Sequence, residues 1–148
     1  MYTNILLAID GSPTSDRALQ EALRLAADQG ARLRLVHVVE NAQVWNIEAF
    51  VDTSTLQQAL RQAGELILAR ARSACNAAGI EVECVLHESL GERVAKSIVD
   101  EARNWPADLV VIGTHGRGGI DHLLFGSVAE HVIRATPVPL LLVRSQIS

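Results

Sequence analysis

Aromatic residues are nearly missing from this chain: two Trp, one Tyr and two Phe make up 3% of its 148 residues. A core without them has to be built from aliphatic side chains and alanine, and the 49% of hydrophobic residues supplies that material. Such a composition suits helices laid on a sheet. Cysteine is as scarce. Cys75 and Cys84 stand nine positions apart, without a C-x-x-C pair or a histidine cluster, so a zinc site is not expected and two reduced, partly buried thiols are. No apolar run approaches the roughly 20 residues of a membrane helix. Met1-Tyr2-Thr3-Asn4 carries no basic segment and no cleavage-like site, so a secretion signal is not expected. With reduced thiols and no export signal, the compartment that fits is the cytoplasm. Basic charge is also short: 13 Lys and Arg against 17 Asp and Glu leave a net charge of −4, and the basic residues form no run. A nucleic acid held by phosphate neutralisation is therefore not an expected partner.

What the chain does have is a regular alternation of strand and helix signals. Ile5 to Ile9 is an apolar run stopped by Asp10-Gly11-Ser12-Pro13, with Ser12 suited to a helix N-cap and Pro13 to the first helical position. Ala18, Leu19, Ala22, Leu23 and Ala26 recur at helical spacing and Gly30 follows as a C-cap. Leu33 to Val39 reads as the second strand. Asn41 to Thr53 is irregular, and Thr55 to Ala78 is a long helix whose stripe is Leu56, Leu60, Ala63, Ile67, Ala71 and Ala74, ended by Gly79.

Ile80 to Leu86 alternates with period two, which implies one buried face and an edge strand. Glu92 to Asn104 is a third helix with Val94, Ile98 and Ala102 inward. Leu109 to Ile112 is continuously apolar, as a central parallel strand is, Ser127 to Ala135 is the fourth helix, and Val138 to Val143 the last strand. Five strands with intervening helices mean an α/β fold, a single domain over residues 1–148 with a largely parallel open sheet and right-handed crossovers. The last strand is apolar on both faces. At a sheet edge it would expose an unpaired apolar border, which a second copy of the chain would cover, so a homodimer through Val138 to Val143 is expected.

The stretch richest in chemistry runs from Gly113 to Val128. An apolar strand empties into Gly113-Thr114-His115-Gly116-Arg117-Gly118-Gly119, and a helix starts near Ser127. Backbone N–H groups approach an anion where side chains are absent, and a helix N-terminus adds a favourable dipole, so the pattern suits a phosphate. Two common phosphate motifs do not fit. No Gly-Lys pair exists for a G-x-x-x-x-G-K-[ST] loop, and a G-x-G-x-x-G fingerprint started at Gly116 meets Asp121 at its third glycine.

Other residues have plainer readings. Ser127 and Glu130 form a capping box, with Ser127 as the N-cap. Asp10 can brace the turn after the first strand. His115 and His122 lack the carboxylates or further histidines that metal or acid–base work needs, and surface or packing roles are expected. His37 and Val38 are strand residues whose backbone matters more than their side chains. Glu40, Glu48 and Asp52 read as solvated charges, while Trp45 and Phe50 form a lid, an interface or a local packing pair.

The spacing Gly113-x-x-Gly116, nine residues, Gly126-Ser127 resembles the signature of the universal stress protein family, in its ATP-binding branch. The resemblance spans the chain: Ala8-Ile9-Asp10-Gly11-Ser12 is similar to the family's opening motif, and His37-Val38, Gly91 and Pro137-Val138-Pro139 also fit. It implies strand order 3-2-1-4-5 with helices on both faces, the Rossmann-like arrangement of the adenine nucleotide alpha hydrolase-like folds. It further implies Ala8 and Asp10 near the adenosine, the Val38 backbone at the adenine edge, and Gly113, Thr114, His115, Gly116 and Arg117 around ribose and phosphates. Gly126, Ser127 and Val128 would serve the outer phosphates. Mg²⁺ would be held through phosphate oxygens, near Asp10, with no dedicated protein metal site. The implied function is a cytoplasmic, nucleotide-dependent regulator of stress adaptation. A slow ATPase or autophosphorylating enzyme, with Asp10 and Arg117 as the obvious groups, and a sensor of AMP or a cyclic adenine nucleotide are the alternatives. No residue in the stretch resembles an activated nucleophile, and no catalytic residue is assigned.

Overall fold

The computed structural model describes residues 1–40, 53–89, 93–114 and 126–144. Along the chain these form β1 (Asn4–Ala8), α1 (Pro13–Gln29), β2 (Arg32–Val39), α2 (Thr53–Ala77), β3 (Val82–Glu88), α3 (Val94–Asn104), β4 (Leu109–Gly113), α4 (Ser127–Ala135) and β5 (Leu140–Val143). The five strands pair in parallel in the order β3-β2-β1-β4-β5, as the resemblance implied. Trp45, Glu48, Phe50, Asp52, His115, Gly116, Arg117 and His122 lie outside the described residues.

Residue parity divides the core between two faces. On one, Ile5, Leu7, Leu33, Leu35, Leu109 and Val111 meet Ala18, Leu19, Ala22, Leu23 and Ala26 of α1 and Leu68, Ala71 and Cys75 of α2. On the other, Leu6, Val36, Val110 and Ile112 meet Ala95, Ile98 and Ala102 of α3 and Val132 of α4. Ile5 to Ala8 of β1 and Leu109 to Ile112 of β4 therefore are apolar at every position, which is why they carry no alternation. Ala18, Ala22 and Ala26 of α1 are fully buried and let the helix lie close to the sheet. The ends of α1 follow local chemistry: the Ser12 hydroxyl accepts from the Ser15 amide at 3.1 Å, and Gly30 closes the helix at φ 66°.

The structure corrects several expectations. In α2 the buried line is Gly64, Leu68, Ala71 and Cys75, spaced four, three and four, and Ala63 is exposed on its flank. Strand β3 is indeed at the edge, but all seven residues are half-buried, because Val85 packs on the second core while Val82, Cys84 and Leu86 pack on the first. It begins at Val82 because the Ile80 amide is taken by the Cys75 carbonyl in the closing turn of α2. Strand β5 begins at Leu140: Pro139 has no N–H to donate, although its carbonyl accepts from Val110 at 3.0 Å. It too is an edge strand, with Leu141 exposed.

The helix starting at Ser127 differs most. Its N-cap is Gly126, φ −71° and ψ 161°, without a side-chain cap, so Ser127 is the first helical residue and there is no capping box. Glu130 instead faces Arg134, 3.6 Å away, one turn further on. The cause is tertiary: the Gly126 amide donates to the Thr114 carbonyl just beyond β4, which fixes where the helix can start.

Candidate functional site

The strand order reverses beside β1. The chain steps to β2 and β3 on one side, then crosses to β4 and β5 on the other, so the exits of β1 and β4 diverge to opposite faces and leave a crevice at their carboxyl ends. Every described residue of the candidate set borders this end of the sheet. Ala8 ends β1, Val38 is the penultimate residue of β2, Gly113 ends β4, and Gly126, Ser127 and Val128 open α4.

The exit of β1 is built from its own side chains. Asp10 Oδ1 accepts from the Ser12 amide at 2.9 Å, and the Asp10 amide donates to Ser15 Oγ at 3.1 Å. Gly11 sits at φ 81°, a conformation that favours glycine. Asp10 thus braces the turn, and its carboxylate is held at the edge of the crevice rather than free to swing.

The exit of β4 leans on the start of α1. A Cβ placed on Gly113 would stand 2.7 Å from Thr14 Cγ2, so glycine there is what lets the end of β4 lie against the first turn of α1. Beyond it Thr114 is 1% exposed; its amide donates to the Val143 carbonyl at 2.9 Å and its carbonyl accepts from Gly126. Its hydroxyl oxygen is buried without a hydrogen-bond partner. An orphaned buried hydroxyl costs stability in the empty protein, and sites that receive ligands are where such groups are kept. Across from it, the first turn of α4 has only a glycine as cap, so no side chain closes its amide end. A buried hydroxyl without a partner thus stands near a helix N-terminus that no side chain caps, groups of the kind that an anion can use.

Sequence reasoning missed the side chain of His37. It is 8% exposed, and its Nδ1 lies 2.9 Å from the Ile9 carbonyl, the last backbone acceptor before Asp10. Nδ1–H donates there, which sets the tautomer. The ring fits only because α2 carries Gly64 opposite it: a Cβ on Gly64 would be 2.6 Å from His37 Cδ2 and 2.8 Å from Leu86 Cδ1. A lone glycine inside a helical pattern was the available signal. Among the described residues no group of three or more His, Cys, Asp and Glu side chains could hold a metal ion, and no helix is long and apolar enough to cross a membrane.

Known proteins share this architecture. The sequence profile of the "Universal stress protein family" matches residues 1–144. A protein of that family from Burkholderia pseudomallei has a solved structure that is 36% identical, with a TM-score of 0.79 over 96% of each chain. A universal stress protein in complex with cAMP is 25% identical, with a TM-score of 0.69 over 98% of each chain. The universal stress protein from Archaeoglobus fulgidus in complex with dAMP is also 25% identical, with a TM-score of 0.67 over 96% of this chain and 98% of that one. With a profile match across nearly its whole length and the sheet order the resemblance required, the chain belongs to the universal stress protein family.

Proposed function

We propose that the chain binds an adenine nucleotide across the carboxyl ends of β1 and β4 and acts as a nucleotide-dependent regulator in stress adaptation, in the cytoplasm. The observation that carries the reading is the buried, unpartnered Thr114 hydroxyl next to the uncapped start of α4. The two similar proteins solved with cAMP and dAMP share an adenine base and a phosphate, the two parts this crevice suits. In the proposed pose the base lies at the Val38 backbone, and Ala8 and Asp10 flank the adenosine. Gly113, Thr114, His115, Gly116 and Arg117 surround the ribose and phosphates, and Gly126, Ser127 and Val128 offer amides and a hydroxyl to the outer phosphates. Mg²⁺ would neutralise phosphate oxygens and retain several waters, near Asp10.

ATP with Mg²⁺ is the ligand we favour, because a helix N-terminus following a glycine-rich loop provides for more than one phosphate. AMP or a cyclic adenine nucleotide is the second reading, favoured by the monophosphates in the two similar structures. The test is calorimetric titration with ATP, AMP and cAMP in Mg²⁺, on the wild type and on Thr114→Val. Removing an unpartnered buried hydroxyl should leave the empty protein as stable or more so while weakening nucleotide binding. No saturable binding of any of the three below millimolar would overturn the reading, as would unchanged affinity in Thr114→Val.

The edge strand β5, with Leu141 outward and open backbone groups, supports a homodimer paired along it. Light scattering that returns the monomer mass of 16.0 kDa at tens of micromolar (on the scale of typical interface affinities) would refute that assembly.

A further inference from the structure

Two helices begin at the same end of the sheet on its second face, α3 at Val94 and α4 at Ser127, and a cation stands between them. Arg93 is the N-cap residue of α3, with φ −71° and ψ 144°. Its backbone carbonyl serves the helix, accepting from the Lys96 amide at 3.0 Å, while its side chain takes no part in the cap. A helix N-terminus is the positive end of the dipole, so a guanidinium there is placed against the local field.

It is nevertheless held in position. Arg93 Nη1 lies 2.5 Å from His131 Nε2, and His131 Nδ1 lies 2.7 Å from the Ser127 carbonyl. A guanidinium can only donate, so Nε2 is the acceptor and Nδ1–H donates to Ser127: the imidazole is neutral and in one tautomer. Arg93 is exposed, and no carboxylate among the described residues forms an ion pair with it. Two helix N-termini and one exposed guanidinium, tied through His131 to the first residue of α4, concentrate positive charge beside the proposed phosphate cradle.

We propose that Arg93, oriented by His131, contacts the terminal phosphate of an adenine nucleoside triphosphate and so sets how many phosphates the site prefers. This rests on the adenine-nucleotide reading above and adds the residue that distinguishes ATP from AMP. The first phosphates meet backbone amides, which serve mono- and triphosphates alike. The Arg93 guanidinium is held against the first turn of α4 through His131, so in the proposed pose it meets a phosphate beyond those that the α4 amides take. It supplies parallel donors that an ammonium cannot. His131 is a positioning residue: it fixes the guanidinium without touching the ligand.

The experiment is calorimetric titration of the full chain with ATP plus Mg²⁺ and, separately, with AMP. Arg93→Gln should weaken ATP about tenfold or more, the scale of a lost charged hydrogen bond, and leave AMP within about twofold. Arg93→Lys should restore part of the ATP affinity. His131→Phe, which leaves the charge but releases it, should weaken ATP by a smaller factor and not AMP. Melting temperatures of the two Arg93 variants should match the wild type, because the guanidinium takes no part in the α3 cap, whereas His131→Phe also loses the bond to the Ser127 carbonyl and is judged by its ATP-to-AMP ratio. Equal loss for ATP and AMP in Arg93→Gln, or unchanged ATP affinity, overturns the assignment while the nucleotide reading stands. A wild type that binds neither nucleotide overturns both.

Discussion

Gly64→Ala is the sharpest test of how the fold supports the crevice. On propensity alone the change should stabilise: alanine is favoured over glycine inside a helix by about 1 kcal/mol. Packing reverses the sign. The new Cβ would stand 2.6 Å from His37 Cδ2, 3.1 Å from His37 Nε2 and 2.8 Å from Leu86 Cδ1. Leu86 can turn aside, but the His37 ring is 8% exposed and tied through Nδ1 to the Ile9 carbonyl, so it moves only by breaking that bond or pushing α2 off the sheet. Overpacking a filled core costs about 1–3 kcal/mol and loss of a buried hydrogen bond about 1 kcal/mol. Net destabilisation of about 1–2 kcal/mol is expected after the propensity gain, a fall in melting temperature of about 2–8 °C for a chain of this size.

The assay is urea unfolding of Gly64→Ala, His37→Ala and the double variant. Once the ring is removed, the added methyl has room. The double variant should therefore be more stable than His37→Ala alone, a coupling that independent sites do not show. A Gly64→Ala protein more stable than the wild type would refute the argument, and strictly additive effects would show that the two residues do not meet.

Asp108 accepts from the Thr3 amide and hydroxyl at 2.9 Å each and from the Asn4 amide at 3.0 Å, tying the start of β1 to the start of β4. Burial pushes its carboxyl up, but those hydrogen bonds outweigh it and hold the group below its usual value. A carboxyl lowered in the folded state stabilises fully above its unfolded value, about 3.9, and that contribution is lost as pH falls through the lower folded value. Asp108→Asn should cost about 1–2 kcal/mol at neutral pH, a figure reduced because the carboxylate is half-exposed. The gap to the wild type should close in acid, and a gap constant from pH 7 to pH 2 would refute it. Of the two thiols, Cys75 is fully buried, and burial pushes it up to about 11, while Cys84 is half-buried with Arg72 Nε 3.4 Å from its sulfur. Alkylation of the native protein should modify Cys84 first and Cys75 only on unfolding; mass spectrometry finding equal rates would contradict this.

Much of this molecule was legible because it is written in local chemistry. Ser12, Pro13 and Gly30 bound α1 by hydrogen bonds and backbone preferences within a few residues, and the unbroken apolar runs of β1 and β4 announce strands covered on both faces. The G-x-x-G and G-S spacing likewise named the family. What the sequence could not decide turns on groups brought together from far apart. Ser127 has the residue type of an N-cap, yet Gly126 caps α4, since a bond from Gly126 to Thr114 on the far side of an 11-residue segment sets where the helix starts. His37 reads as one more strand residue until the Ile9 carbonyl and Gly64, from two other elements, close on its ring. Arg93 and His131 are 38 positions apart, and neither carries a signal alone. Periodicity and caps act within one or two turns of chain, so the sequence by itself determined the elements and their order along the chain. Contacts between elements depend on how distant parts of the chain pack, and only the tertiary structure decided that Gly64 lies against His37, that Gly126 caps α4 and that Arg93 meets His131.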